Sequence, residues 1–172
     1  MSDYREQCIF TRRSVRSYEQ RPVEPEKLER VLRAAMQAPS ALDGRPWEFF
    51  VYTDASCRTL ISQMSPYAAM AAQAPAVIVI CADQQRIQES HEEAWWVQDL
   101  SACTQNLLLQ LVQEGLGGVW LGTYPREKRM DYLREALQLP EHLLPFAVVP
   151  LGYGLETNHY VDRYEPDRVH LK

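Results

Sequence analysis

Three arginines within five residues, Arg12, Arg13 and Arg16, stand with Ser14 and Ser17 in the stretch FTRRSVRSYE at residues 10–19. Guanidinium groups are permanently charged forks that bind phosphate or carboxylate oxygens bidentately, and a serine hydroxyl adds a compact donor. Two readings follow: a site for a small anion, or a solvated turn whose charges pair with Glu6 and Glu19. A second polar constellation, Ser40, Asp43 and Arg45, lies in APSALDGRPWEFFVY between a helical pattern and a strand pattern. Loops at strand ends commonly carry ligands, although an ordinary turn rich in Pro and Gly explains this composition equally well. Gly122 stands at the far end of LGGVWLG, where glycine permits close backbone approach to a flat ligand. Gly115, Gly117 and Gly118 are read as a helix cap and a tight turn.

Other chemistries lack their residues. LGGVWLG is no dinucleotide fingerprint: its glycines follow a helix and precede a strand, and Trp120 takes the third position. No P-loop and no GxSxG occurs. His91, His142, His159 and His170 do not pair at helical spacing. Cys8, Cys57, Cys81 and Cys103 form no CxxC and read as inert thiols of a reducing compartment. Trp95 and Trp96 either roof a pocket or pack in the interior.

The elements that must position these groups are legible from periodicity. A short helix is expected over residues 3–10. A second starts at Pro25, with Leu28, Val31, Leu32, Ala35 and Met36 on one face, and Pro39 closes it. WEFFVYT (47–53) and AVIVICA (76–82) read as strands, with one or two short helices between them. The segment from about Gln88 to Glu114 reads as a long helix, apolar all round in its second half and therefore buried in a core or a subunit interface. LGGVWLGTY gives a strand, REKRMDYLREALQL a helix and FAVVPLGYG the last strand. The order predicts an α+β, or mixed α/β, layered fold. The polar, aromatic stretch after Gly154 builds no core, so it frays or lies along another surface.

The 172 residues fit one domain, 1–172, and the 46% hydrophobic and 24% charged composition is that of a globular chain. A net charge of −5 argues against nucleic acid as a partner. No signal-peptide pattern opens the chain and no apolar run is long enough to cross a bilayer, so a cytoplasmic protein is expected.

RRSVRSYEQRPVEPEKLERVLRAAMQAPSALDGRPWEF resembles the opening signature of the nitroreductase family of FMN-dependent oxidoreductases. The likeness runs on through APAVIVICA, QDLSACTQNLLLQLVQEGLGGVWLG and LPFAVVPLGYGLE to DRYEPDRVH, in order and in register. The resemblance implies a central, mostly antiparallel sheet flanked by helices, in an intertwined homodimer with two FMN sites at the subunit interface. The awaited anion would be the FMN phosphate, held by Arg12 and Arg163. Arg13 and Ser14 would take the ribityl chain, the ring edge and nearby phosphate contacts, with Arg16 in the same set. Pro39 and Ser40 would reach the flavin from the other subunit, and the backbone at Leu121 and Gly122 would lie against its ring. Residues 155–172 would wrap the partner as a C-terminal arm. Where the family usually has an Asn and a Gln before Pro-Trp, this chain has Asp43 and Arg45. Asp43 still accepts from the flavin N3–H, and Arg45 would stabilise negative charge at N1 and the C2 oxygen.

The implied activity is hydride transfer from NADH or NADPH to flavin N5, then to a flat, electron-poor acceptor such as a nitroaromatic or quinone, in a ping-pong cycle. Tyr67, Trp95 and Trp96 are the expected roof of the substrate pocket. No side chain is required as an acid or base in the hydride step. The alternatives are related flavoenzymes (dehalogenating, flavin-fragmenting or azoline-oxidising), a non-catalytic FMN binder or sensor, and a scaffold whose arginines are mere surface charge. The sequence does not choose between NADH and NADPH.

Overall fold

The run AVIVICAD forms a strand with every residue buried, Ala76–Asp83, because both of its faces are covered. The computed structural model describes residues 4–87 and 95–172. Its strands are β1 (Trp47–Tyr52), β2 (Ala76–Asp83), β3 (Gly117–Gly118), β4 (Leu121–Gly122) and β5 (Leu143–Gly152), and its α-helices α1 (Cys8–Thr11), α2 (Pro25–Ala35), α3 (Ala55–Ser62), α4 (Trp95–Gln113) and α5 (Glu127–Ala136). The sheet runs β1-β2-β5-β3, with β4 also on β5, and each strand pairing is antiparallel.

Strand alternation sorts the interior into two layers. Ala76, Ile78, Ile80, Val149 and Leu151 face α2 and α4, whose Val31, Leu100, Leu107 and Leu111 are buried against them. Val77, Val79, Cys81 and Val148 point the other way, onto Ile61 of α3, the 3-10 run Pro66–Ala72 and Leu133 of α5. The architecture is therefore a mixed helix-and-sheet sandwich, as the periodicities imply. Truncating any of the fully buried Ile78, Leu107 or Leu111 to alanine would cost about 2–5 kcal/mol.

Several local readings are refined. The expected first helix is a 3-10 turn, Tyr4–Glu6, followed by the four-residue α1. The long helix is described from Trp95 to Gln113; residues 88–94 of the expected span, with His91, lie outside the described residues. It ends as the glycine implies: Gly115 has φ +71°, its N–H donates to Val112 O, and the Leu116 N–H donates to Leu111 O at 2.8 Å. Gly117 and Gly118, however, are sheet residues and not a turn. A Cβ on Gly117 would stand 2.5 Å from Val15 Cγ2, and one on Gly118 2.7 Å from Leu111 Cδ1, so glycine is needed there for packing. The expected single strand at LGGVWLGTY is broken into β3 and β4 by Val119 and Trp120. The last strand starts three residues earlier than FAVVPLGYG implies and tolerates Pro145 because the register shifts there: Cys81 pairs Pro145 while Ile80 pairs Ala147.

Cys81 and Cys103 are buried and Cys8 and Cys57 half-buried, all unbridged. Burial pushes the Cys81 and Cys103 thiols up to about 12, which keeps them unreactive. No helix of the described residues is long and apolar enough to cross a membrane.

Candidate active site

After α1 the chain straightens at Arg12 (φ −52°, ψ 129°) and runs beside β3, where Ser14 bridges Gly118 and the Val15 N–H donates to Gly118 O at 3.0 Å. Val15 enters the core in the space that Gly117 leaves free. That anchor fixes the flanking Arg12, Arg13, Ser14 and Arg16 at the sheet edge. The C-terminal segment is brought to the same edge by polar bonds: the Leu155 N–H donates to Ser17 O, the Arg13 N–H donates to Asn158 Oδ1 at 3.0 Å, and Asn158 Nδ2 donates to Leu116 O at 3.3 Å. This brings Arg163 up to Arg12 and Arg13.

No carboxylate pairs with Arg12, Arg13, Arg16 or Arg163 among the described residues, so the turn paired with Glu6 and Glu19 is not what forms. Arg13 Nη1 donates to Arg12 O at 2.6 Å, while its Nε and Nη2 are buried with no partner. Burial, and then the charge of Arg163, holds both the Arg12 and Arg13 guanidinium groups below their ordinary range; Arg13 adds to the effect on Arg12. Guanidinium does not deprotonate at any ordinary pH, so the repulsion is relieved by an anion. Space for one exists on both sides. A cavity of about 690 Å³ is lined by Arg13, Ser14, Arg16, His159 and Arg163 together with Glu156, and one of about 450 Å³ by Arg12, Arg13, Arg163 and Tyr164 together with Asp162; neither carboxylate is ion-paired with these arginines.

The second constellation satisfies itself. Arg45 Nε and Nη2 donate to the two Asp43 carboxylate oxygens at 2.7 and 2.5 Å, a bidentate pair exposed to solvent. The Arg45 hydrogen bonds hold the Asp43 carboxyl below the usual range and raise the Arg45 guanidinium. Leu42, Asp43 and Arg45 all have positive φ, of 50°, 56° and 46°. An ordinary turn of non-glycine residues does not take that form, and such clusters mark over-determined loops. Two side-chain acceptors help to hold it: the Arg45 N–H donates to Ser40 Oγ, and the Ala41 N–H to Oδ1 of the buried Asp99 of α4, each at 3.0 Å. Sequence reasoning missed Asp99 and Asn158. A lone acid in an apolar helix was a usable signal for the first; nothing local marks the second.

These two sites stand at opposite ends of β5. Trp47, next after the 40–45 loop and Pro46, pairs with Ala82, which faces Leu144; Gly118, beside Ser14, faces Leu151. Seven residues separate Leu144 from Leu151, roughly 23 Å of strand. The structure thus brings Arg12, Arg13, Ser14, Arg16 and Arg163 together, but not with Pro39, Ser40, Asp43 and Arg45 of the same chain. Leu121 and Gly122 lie midway, opposite Val148 and Ala147, and around the position of a Gly122 Cβ nothing stands within 4 Å. Trp96 packs edge-on to Tyr124, with centroids 4.7 Å apart, and onto Phe146, so it is wedged among aromatic side chains, while Trp95 is 43% exposed. Tyr67, 74% exposed, lies on the 3-10 run across the sheet from α4 and joins neither tryptophan within one chain.

The family model for the nitroreductase family matches residues 9–69 and 60–153. A Methanothermobacter thermautotrophicus protein provisionally named NADH dehydrogenase/NAD(P)H nitroreductase is 43% identical over 168 residues, 96% of this chain and 85% of its own length. A solved structure from Clostridium acetobutylicum, provisionally named an NADH oxidase, is 40% identical with a TM-score of 0.91, covering 96% of this chain and 99% of that one. A nitroreductase-like protein from Desulfovibrio desulfuricans, solved in complex with FMN, is 25% identical with a TM-score of 0.84 over 100% and 98% of the two chains. The chain belongs to the nitroreductase family.

Proposed function

We propose that this protein is an FMN-dependent NAD(P)H oxidoreductase that works as a homodimer and reduces flat, electron-poor acceptors of the nitroaromatic or quinone type. The observation that carries the reading is the cluster of Arg12, Arg13 and Arg163, half-sequestered, mutually repelling and ion-paired with no carboxylate among the described residues, with two buried donors of Arg13 unused. A dianionic phosphate monoester fits that donor set in both charge and number of acceptors. The relatives named as NAD(P)H nitroreductases, and the one solved with FMN, agree with it.

Bound FMN would supply a ring that accepts a hydride from NADH or NADPH and passes it to the acceptor. The chain's own residues do the rest. Arg12, Arg13 and Arg163 would hold the phosphate, and Ser14 and Arg16, on the same edge, would take the neighbouring polar groups of the cofactor. Asn158 keeps the arm, and with it Arg163, in place. The bare face at Gly122 admits a flat ring where any side chain would intrude. Asp43 and Arg45 present an acceptor and a donor fork to a ring edge. Because they stand about 23 Å along β5 from the arginines, they serve a second copy's flavin: in a two-fold pair each loop end can lie beside the partner's arginine end. Residues 155–172, exposed and without a core of their own, form the arm that covers the partner.

The test is the visible spectrum of the purified protein, repeated without oxygen after NADH and then NADPH. Flavin bands that bleach establish the enzyme and its donor. Bands that persist with both donors identify a flavin binder, and a colourless protein that takes up no FMN rejects the reading.

A further inference from the structure

Little holds the backbone platform at Gly122 in place. β4 is two residues long and pairs only with β5. Just beyond it the ladder gives out, because the Thr123 and Tyr124 N–H groups both donate to Phe146 O, at 3.1 and 3.0 Å. The Gly122 carbonyl takes its hydrogen bond from a side chain instead: Arg129 Nη1 donates to it at 2.7 Å. That side chain has a firm base. Met130 and Leu133 bury one face of α5, the Arg126 N–H donates to Thr123 O at 2.8 Å, and helical side chains lean towards the N-terminus, here back towards β4. Most arginines away from the phosphate edge pair with a carboxylate, whereas Arg129 has none among the described residues. It also leaves the Gly122 face bare, since nothing stands within 4 Å of where a Cβ would be.

We infer that Arg129 is a positioning residue for the flavin: it fixes the Gly122 backbone against which the ring would lie, and it sets an unneutralised positive charge beside that backbone. The inference rests on the oxidoreductase reading above, in which the ring takes the Gly122 platform. A planar guanidinium bonded to a main-chain carbonyl restricts the peptide that carries it, and a two-residue strand has few other restraints. The charge acts separately from the bond. Hydride transfer adds two electrons and one proton, so the ring gains one negative charge. A cation already in place stabilises that charge more than it stabilises the neutral oxidised ring, which raises the reduction potential. Arg129 is half-buried, so solvent screens its charge less than those of its exposed neighbours Arg126 and Lys128.

The test compares Arg129→Gln, which loses the charge and the fork, with Arg129→Lys, which loses only the fork. Arg126→Gln, at an exposed position three residues away, is the control for a lost charge that makes no bond to Gly122. Two quantities are read: the dissociation constant for oxidised FMN, by fluorescence titration, and the midpoint potential of the bound flavin, against reference dyes. The dissociation constant rises roughly threefold in both Arg129 variants, because both lose the fork. The affinity for reduced over oxidised flavin falls roughly tenfold in Arg129→Gln alone, which moves the potential about 30 mV more negative for a two-electron couple. Arg129→Lys keeps most of the wild-type potential, and Arg126→Gln keeps both wild-type values. A potential unchanged in Arg129→Gln, or shifted equally in Arg129→Lys or Arg126→Gln, overturns the inference. If Arg129→Gln fails to fold, Arg129→Lys decides, and an unchanged FMN affinity in it overturns the inference. If wild type binds FMN and is bleached by NADH or NADPH in that event, the inference falls alone; if wild type takes up no FMN, the oxidoreductase reading falls with it.

Discussion

Arginine occupies both ends of β5, yet the two ends behave in opposite ways. At the Gly152 end, Arg12, Arg13 and Arg163 crowd together with no carboxylate ion-paired to them among the described residues, and two donors of Arg13 are buried and idle. At the Leu143 end, Arg45 is fully engaged by Asp43 two residues before it. The first edge stores unfavourable charge that only an outside anion relieves; the second is neutral as built and supplies shape and a polar fork. At the first edge it is several arginines crowded together and unpaired that mark the site, not any one residue's composition.

The largest effect that would break this contrast is loss of flavin on Arg13→Ala or Arg12→Ala. Each removes charge-assisted hydrogen bonds, and the dissociation constant for FMN, read by fluorescence titration, rises roughly 10- to 100-fold. Arg45→Ala changes it much less. Equal losses at the two ends would erase the distinction.

Next in size is Asp99→Ala, which leaves the Ala41 N–H without its buried acceptor and costs roughly 1–3 kcal/mol. Denaturant unfolding measures the loss, and faster hydrogen exchange at Ala41 localises it; Asp99→Asn, which keeps an acceptor, recovers most of both.

Smaller still is the response of flavin-free protein to inorganic phosphate. Binding to the native arginine cluster raises its Tm by roughly 2–4 °C for each kcal/mol of binding energy. Arg13→Ala abolishes most of that rise in a thermal melt, while Arg45→Ala does not.

The smallest effect is a pH dependence at the neutral end. Asp43 is held below its ordinary pKa in the folded protein, first by its hydrogen bonds from Arg45. Its contribution is therefore complete above the ordinary carboxylate range and fades as the pH falls through the lowered value. NMR titration of the Asp43 carboxyl shows the depressed midpoint in wild type and an ordinary one in Arg45→Ala. Because the pair is exposed, the accompanying change in stability is slight.

Much of this was legible in the chain because it depends on local spacing. The apolar stripe of α2 from Leu28 to Ala35 (Met36, read with it, is the exposed C-cap), the uninterrupted AVIVICAD of β2 and the glycine at the end of α4 each dictate an element within a few residues. The motifs carrying the family resemblance are also local, so the family and the arginine–serine segment could be read directly. Where the reading slipped, distant packing had intervened. Gly117 and Gly118 answer to Val15 and Leu111 rather than to a turn, and Pro145 survives inside β5 because the pairing with β2 shifts register there, with Phe146 the extra residue on β5.

Sequence alone thus determined which residues are charged, which stripes are apolar and roughly where most helices and strands lie. Tertiary structure decided which charges meet. It set Arg163 beside Arg12 across some 150 positions by way of Asn158, gave Arg45 its acid, and left Arg129 against Gly122 with open space beyond. Side-chain type is a local property of the chain, whereas neutralisation is a property of neighbours, and only folding chooses the neighbours.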